Sequence, residues 1–330
     1  MLDLLGIGNA IVDTDVEIEE SFLQDESLPK GQMTLIDSVR MAELVGHLGR
    51  RTMRRCSGGS AANTIYAAQA FGLNTSYACQ LADDENGHHF FREMQDAGIV
   101  TSQISAMSDE QRSGQCLVLI TPDAQRTMCT DLGVSKDVGQ AVVNDSDLRA
   151  ARCVYIEGYL SASELSSQTA ARSAALARDS GAQIALTLSD ISMIEFCRDG
   201  LTAMLGNGVD VLFCNADEAT AWAKTDRLDV AISELKDIAK ELYVTLGSDG
   251  AEVCNLQGGW QVGGESIIPV DTNGAGDMFA GAFFFALWRE SDKRNACEFA
   301  AKAAARVVCQ PGPRLSLNDS QELRNSHFDA

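Results

Sequence analysis

The segment Asp271-Thr272-Asn273-Gly274-Ala275-Gly276-Asp277, followed by the apolar run 278–288, carries the densest chemistry in the sequence. Glycines at 274 and 276 let the backbone turn tightly and approach a ligand closely. The run after them predicts a helix over 275–288. Its first amides lack internal acceptors, and with the helix dipole they form a site for anionic oxygens. Asp277 falls in that first turn. A carboxylate there can take a proton from an attacking hydroxyl while the amides hold developing phosphoryl charge. A lone Asp at a helix start more often only caps or charges the N-terminus. Two Asp residues around Asn-Gly-Ala-Gly favour phosphoryl transfer. No stretch matches G-x-x-x-x-G-K-[ST], so the P-loop solution is absent.

Other segments could serve the same chemistry. Ser57-Gly58-Gly59-Ser60-Ala61-Ala62-Asn63 precedes a small-residue helix, and by itself it is an N-terminal turn with Ser60 as cap. Gly6-Ile7-Gly8-Asn9-Ala10-Ile11-Val12-Asp13 has two glycines of a dinucleotide fingerprint, but position 11 is Ile and no helix pattern follows. A nucleotide-binding dehydrogenase is therefore disfavoured. Asp13 is instead expected to leave the end of a buried strand where a pocket opens. There a carboxylate can accept hydrogen bonds from two neighbouring hydroxyls. Asn215-Ala216-Asp217-Glu218 reads locally as a loop opening a helix, with Asn215 as cap and Glu218 as capping-box acid. Thr245-Leu246-Gly247-Ser248-Asp249-Gly250 is a strand end and a tight turn. Arg126 is either a solvated surface cation or one able to reach phosphates.

The elements that must position these residues alternate between strand and helix from residue 154 onward, the pattern of βαβ units about a parallel sheet. Strands are expected over 4–12, 75–81, 154–158, 183–188, 209–214 and 242–246. Helices are expected over 38–48, 61–71, 87–96, 163–180, 275–288 and 296–308. The stretches near 14–38 and 104–133 break the alternation. In the second, two β-rich runs flank Thr121-Pro122-Asp123-Ala124, a hairpin signal. Together they predict a small β-sheet lid inserted into one α/β domain spanning 1–330. With five prolines and no Pro/Gly tract, no flexible tether is expected.

Composition excludes several partner classes. Lys plus Arg number 26 against 47 Asp plus Glu, a net charge of −21, which repels nucleic-acid polymers and anionic membranes. The ten cysteines form no CxxC pair and there are four histidines, which disfavours a zinc site. Scattered thiols in apolar runs fit reduced core cysteines and a cytoplasmic location. No basic, apolar leader opens the chain, so no signal peptide is expected.

Asp271 to Asp277 resembles the C-terminal signature of the ribokinase-like, or PfkB, family of carbohydrate and nucleoside kinases. The resemblance implies a mostly parallel central sheet flanked by helices, a β lid, and ATP with Mg2+ as cofactors. It leaves open a monovalent cation such as K+, and a monomer or a homodimer. It assigns the catalytic base to Asp277 and the anion hole to Gly274, Ala275 and Gly276. It places acceptor hydroxyls on Gly58, Gly59, Ser60 and Asn63, with Asn9 and Asp13. It places the nucleotide on Asn215, Thr245, Gly247, Gly250, Thr272 and Asn273, with Arg126 from the lid. Glu218 is implied to hold magnesium through water. Several stretches, among them Tyr155-Ile156-Glu157-Gly158-Tyr159-Leu160, resemble the family's bacterial adenosine kinases, in which an aromatic at the place of Tyr159 stacks on the purine. A core or rim tyrosine is the equal local reading. The implied activity is phosphorylation of a nucleoside, adenosine foremost. The alternatives are a sugar kinase acting on ribose or fructose and a catalytically inactive nucleoside-binding protein.

Overall fold

Short runs of Val, Ile, Leu and aromatic residues, apolar on both faces, form strands that must be covered on both sides. In the computed structural model, which describes residues 2–49, 51, 53–104, 111–123, 125–290 and 292–328, they do so in a large sheet. The strands, in chain order, are β1 (Leu2–Ile7), β2 (Ile11–Glu17), β3 (Met33–Leu35), β4 (Met53–Gly58), β5 (Thr75–Ala78), β6 (Val100–Thr101), β7 (Gly114–Ile120) and β8 (Arg126–Asp131). They continue as β9 (Ala151–Glu157), β10 (Gln183–Thr187), β11 (Val209–Asn215), β12 (Ala239–Thr245), β13 (Ala251–Asn255) and β14 (Gly258–Val262).

Nine strands pair in the order β14-β13-β12-β11-β10-β9-β1-β5-β6, parallel from β12 to β6, with β13 and β14 an antiparallel edge. From β1 the chain moves through β5 to one edge, and after β9 it moves to the other. The direction therefore reverses between β1 and β9, the place where α/β sheets open a crevice beyond the strand ends. The helix Ala275–Glu290 packs against the helices Ser60–Phe71 and Lys293–Val307 on one face. Phe283, Phe284 and Phe299 are fully buried there, each contributing about 1.5–3 kcal/mol.

The second sheet has the order β3-β8-β7-β2-β4. Asp13, Cys116 and Thr130 are successive register partners across β2, β7 and β8. Ile11, Cys116 and Val118 form a small apolar patch with Ile120 and Met128 on the same sheet. Val16, Leu117 and Leu119 pack with the helix Ser38–Leu48 in a separate cluster. Alternation along the strands explains the two faces.

The expected fold is borne out, with local corrections. The single strand expected over 4–12 is two strands in different sheets, broken at Gly8–Ala10. Asp13 therefore lies within a strand of the small sheet, not at the end of a buried strand of the large one. The segment expected as short strands and turns also holds a short helix, Glu20–Asp25. β4 was not anticipated. Its sequence, Met-Arg-Arg-Cys-Ser-Gly, has little strand character, and pairing with β2 determines it, with Arg54 directly opposite Asp15. Residues 105–110 and 124 of the expected lid stretch lie outside the described residues. Among the described residues no helix is long and apolar enough to cross a membrane, and all ten cysteines are free.

Candidate active site

The helix after the Asp-Thr-Asn-Gly-Ala-Gly-Asp segment begins at Ala275, which puts Gly276 and Asp277 in its first turn. Gly274 has φ +75°, and a Cβ there would come within 2.5 Å of Pro313, so the turn requires glycine. A Cβ at Gly276 would meet nothing within 4 Å. The helix N-terminus therefore opens onto free space wide enough for an anionic group to reach its amides.

Asp277 is half-buried, and both its oxygens are held from the neighbouring helix. Ser60 Oγ donates to Oδ1 at 2.6 Å and Asn63 Nδ2 donates to Oδ2 at 3.2 Å. Positions 60 and 63 lie one turn apart and share a helix face. Burial pushes the Asp277 carboxyl up to about 6, against the pull of Ser60, Asn63 and the Arg314 charge. A carboxylate with such a value can accept a proton near neutral pH. Ser60 is not the helix cap that was expected. The cap is Gly59, at φ +99°, where a Cβ would stand 2.3 Å from the Asn9 carbonyl. The Ser60 hydroxyl is thereby free to reach Asp277.

Asn9 lies just beyond β1, 5% exposed, and its Oδ1 has no partner among the described residues. A buried acceptor without a donor suits a ligand hydroxyl. Asp13 projects from β2 beside Gly58, where a Cβ would come within 2.4 Å of its Oδ2. Burial and the Asp15 charge push its carboxyl up to about 7, opposed by Arg314 and Arg126. Arg126 on β8 joins the small sheet to the loop before the helix: its guanidinium reaches Asp271 Oδ2 at 2.9 Å and Asp15 at 3.8 Å. Asp271 also accepts from the amides of Gly312 at 2.7 Å and Asn273 at 3.1 Å.

The nucleotide-side residues form a second group, at the carboxyl ends of β11 and β12, where Asn215 and Thr245 are register partners. Asn215 and Glu218 make the full capping box that the local reading expected. Both Glu218 oxygens accept from Asn215, at 2.7 and 3.2 Å, and burial pushes the carboxyl up to about 7 with Asp190 and Asp277 as like-charged neighbours. Among the described residues no three His, Cys, Asp or Glu side chains gather as a metal cluster. This donor set fits a contact with magnesium through water better than a direct one. Gly247 and Gly250 both have positive φ, at +59° and +92°, and Gly247 faces open space. Thr272 and Asn273 are exposed in the loop before the helix. Tyr159 lies in a short 3-10 turn after β9, half-buried, its hydroxyl 3.5 Å from the Ser189 carbonyl. The charges of Asp277, Glu157 and Glu218 all act on it, so it borders both groups.

Two residues that matter to this geometry were not singled out from the sequence. Glu157, at the end of β9, is fully buried and accepts from the amides of Asn9 at 2.6 Å and Ala61 at 2.8 Å. It ties the reversal point of the large sheet to the start of the Ser60 helix. An ionisable residue ending a run of apolar strand was the available signal. Arg314 follows Pro311-Gly312-Pro313, a turn signature just past the helix Lys293–Val307, and it donates to Asn63.

Comparison with known proteins agrees with this arrangement. The profile of the pfkB family carbohydrate kinases matches residues 29–320. The chain belongs to the pfkB family. A relative named ATP-dependent ribose-1-phosphate kinase, from Halopiger xanaduensis, is 29% identical over 83% of this chain and 88% of its own length. The adenosine kinase of Saccharomyces cerevisiae is 25% identical, covering 94% of this chain and 96% of its own. The crystal structure of adenosine kinase from Sinorhizobium meliloti superposes with a TM-score of 0.89 at 30% identity, over 98% of this chain and 99% of that one. Membership makes the protein an ATP-using phosphotransferase with an alcohol group as acceptor, in a family that phosphorylates sugars or nucleosides.

Proposed function

We propose that the protein transfers the γ-phosphoryl group of MgATP to a primary hydroxyl of a nucleoside, with adenosine as the acceptor. The observation that carries the chemistry is the Asp277 carboxylate, held by Ser60 and Asn63 beside the open N-terminus at Gly276. The hydroxyl proton passes to Asp277 as its oxygen bonds to the γ-phosphorus. The bond from that phosphorus to the β,γ-bridging oxygen breaks, and ADP leaves with the electron pair. The first-turn amides of the helix hold charge on the transferring group. Asp13, Asn9 and the Gly58-Gly59 turn hold the acceptor's hydroxyls. Asn215, Glu218, Thr245, Gly247, Gly250, Thr272 and Asn273 line the nucleotide side, where Glu218 would hold magnesium through water and the ion would offset triphosphate charge. We read residues 1–330 as one domain whose small sheet is a lid. The Arg126–Asp271 pair supports a lid that closes onto the signature loop and excludes water.

Tyr159 at the border of the two groups and the 30% identity to an adenosine kinase over nearly the whole chain favour the nucleoside. A sugar acceptor is the second reading, favoured by the ribose-1-phosphate kinase relative. The test is ATP consumption with magnesium against adenosine, other nucleosides, ribose, ribose 1-phosphate and fructose. Preferential turnover of adenosine supports the proposal. Turnover of a sugar or sugar phosphate and of no nucleoside overturns the acceptor and keeps the Asp277 chemistry.

A further inference from the structure

The turn Gly312-Pro313-Arg314 touches the signature segment at two places and approaches it at a third through Asn63. The Gly312 amide donates to Asp271, Pro313 packs on Gly274, and Arg314 reaches toward Asp277 through Asn63. Arg314 is nine-tenths buried, its side chain 9% exposed. Its Nε donates to Asn63 Oδ1 at 2.9 Å and its Nη1 to Glu93 Oε1 at 3.1 Å. Its guanidinium lies 4.7 Å above the Tyr66 ring. Its Nη2 is buried with no partner among the described residues. A buried guanidinium keeps its charge, because its pKa is too high to escape desolvation by losing a proton. One Glu93 contact and one amide do not exhaust its five donors.

We infer that Arg314 is a positioning residue for the proposed base: it orients the Asn63 amide so that Nδ2 faces Asp277, and it sets a fixed cation behind that pair. The amide argument is geometric. Asn63 has one acceptor and one donor end, and a donor-only guanidinium at Oδ1 leaves Nδ2 to face Asp277. The charge argument is electrostatic. Burial favours protonated Asp277, and Arg314 is the cation that opposes it. The inference rests on the reading of Asp277 as the base.

Other groups face this pair from each element packed on it. Glu93, itself 3.3 Å from His89, faces Arg314 from the helix Glu85–Asp96. Asp13 on β2, Cys56 on β4 and Tyr66 on the Ser60 helix also feel its charge. Asp15 and Arg126 act on Asp13. Glu157, Glu218, Tyr77, Tyr155 and Tyr159 feel Asp277. Asp13 is proposed to touch the acceptor, so its titration enters KM. That of Asp277 enters kcat at saturating substrates.

The experiment compares Arg314→Met, Arg314→Lys and the wild-type chain in two measurements. Difference infrared titration, each protein minus its own Asp277→Asn version, reads the Asp277 pKa without turnover. The pH dependence of kcat is measured with adenosine and MgATP. In Arg314→Met both the Asp277 pKa and the acid limb of kcat rise by about one pH unit. Turnover at pH 6 then falls about fivefold further than at pH 8.5. Arg314→Lys keeps the charge and loses the fork, so its Asp277 pKa stays near wild type while kcat falls evenly across pH. An Asp277 pKa unmoved in Arg314→Met overturns the inference, and so does an Arg314→Lys pKa raised as far as that of Arg314→Met. The infrared result stands even if adenosine is not turned over, so a failure of the proposed function shows separately.

Discussion

The proposed acceptor side and the proposed nucleotide side of the site are built differently. On the acceptor side the base and the turns around it are held by contacts between residues far apart in the chain. Glu157 grips Asn9 and Ala61, and Ser60 and Asn63 grip Asp277, with Arg314 behind Asn63. On the nucleotide side Asn215, Gly247, Thr272 and Asn273 are exposed, and the polar contacts of Asn215 and Glu218 are local caps. The difference teaches where preorganisation is needed. Proton transfer demands tight placement of the base, whereas a large polyanion can bring its own order to glycine-rich loops.

Substitutions should sort by side if this contrast is right. The largest effect is expected for Asp277→Asn, which should lower kcat by about 10²–10⁴-fold with acceptor affinity little changed, read by steady-state kinetics and by calorimetric titration of adenosine. Near-normal turnover would remove Asp277 from the role of base.

Next comes Glu157→Gln. An amide offers one acceptor oxygen to two backbone donors, so one N–H loses its partner, at about 1–3 kcal/mol of stability. Its pH dependence sharpens the point. Burial pushes the Glu157 carboxyl up to about 8, from 4.5 in the unfolded chain. The folded state therefore binds this proton more tightly. The stability from that binding is full below about 4.5 and is lost as pH rises through 8. Urea unfolding at pH 6 and pH 8.5 should show wild type losing more stability with rising pH than Glu157→Gln. Equal losses would mean that Glu157 stays ionised at both values.

Glu218→Gln should do less. Its capping oxygen survives, and the expected change is a several-fold rise in the magnesium needed for half-maximal rate, measured by metal titration at fixed ATP. A loss as large as that of Asp277→Asn would break the contrast between the two sides.

The smallest effect is expected at the border. Tyr159→Ala should raise the KM for adenosine by an amount worth about 0.5–1 kcal/mol of stacking and leave any ribose turnover unchanged. Equal losses for both acceptors would make Tyr159 a packing residue of the core cluster it borders.

Much of the candidate site was legible because its signals are local. The Asn-Gly-Ala-Gly turn before an apolar helix, the double glycine before a small-residue helix and the Asn215 capping box each follow from a few neighbouring residues, and each element formed where expected. Asp13 was expected on the wrong element, because an apolar run through Gly8 gives no hint that the chain changes sheets there.

By itself the sequence determined the alternation that makes a parallel sheet, the helix N-terminus that can meet an anion, and the acidic balance of the chain. These depend on periodicity, turn residues and composition, which act over a few positions. Only the tertiary structure decided that Ser60 serves Asp277 rather than its own helix end, that β4 exists, and that Glu157 and Arg314 stand behind Asn9 and Asn63. Those contacts join residues 37 to 251 positions apart in the chain. What selects them is the penalty for a buried charge or amide without a partner, and that penalty exists only once the surrounding elements have closed.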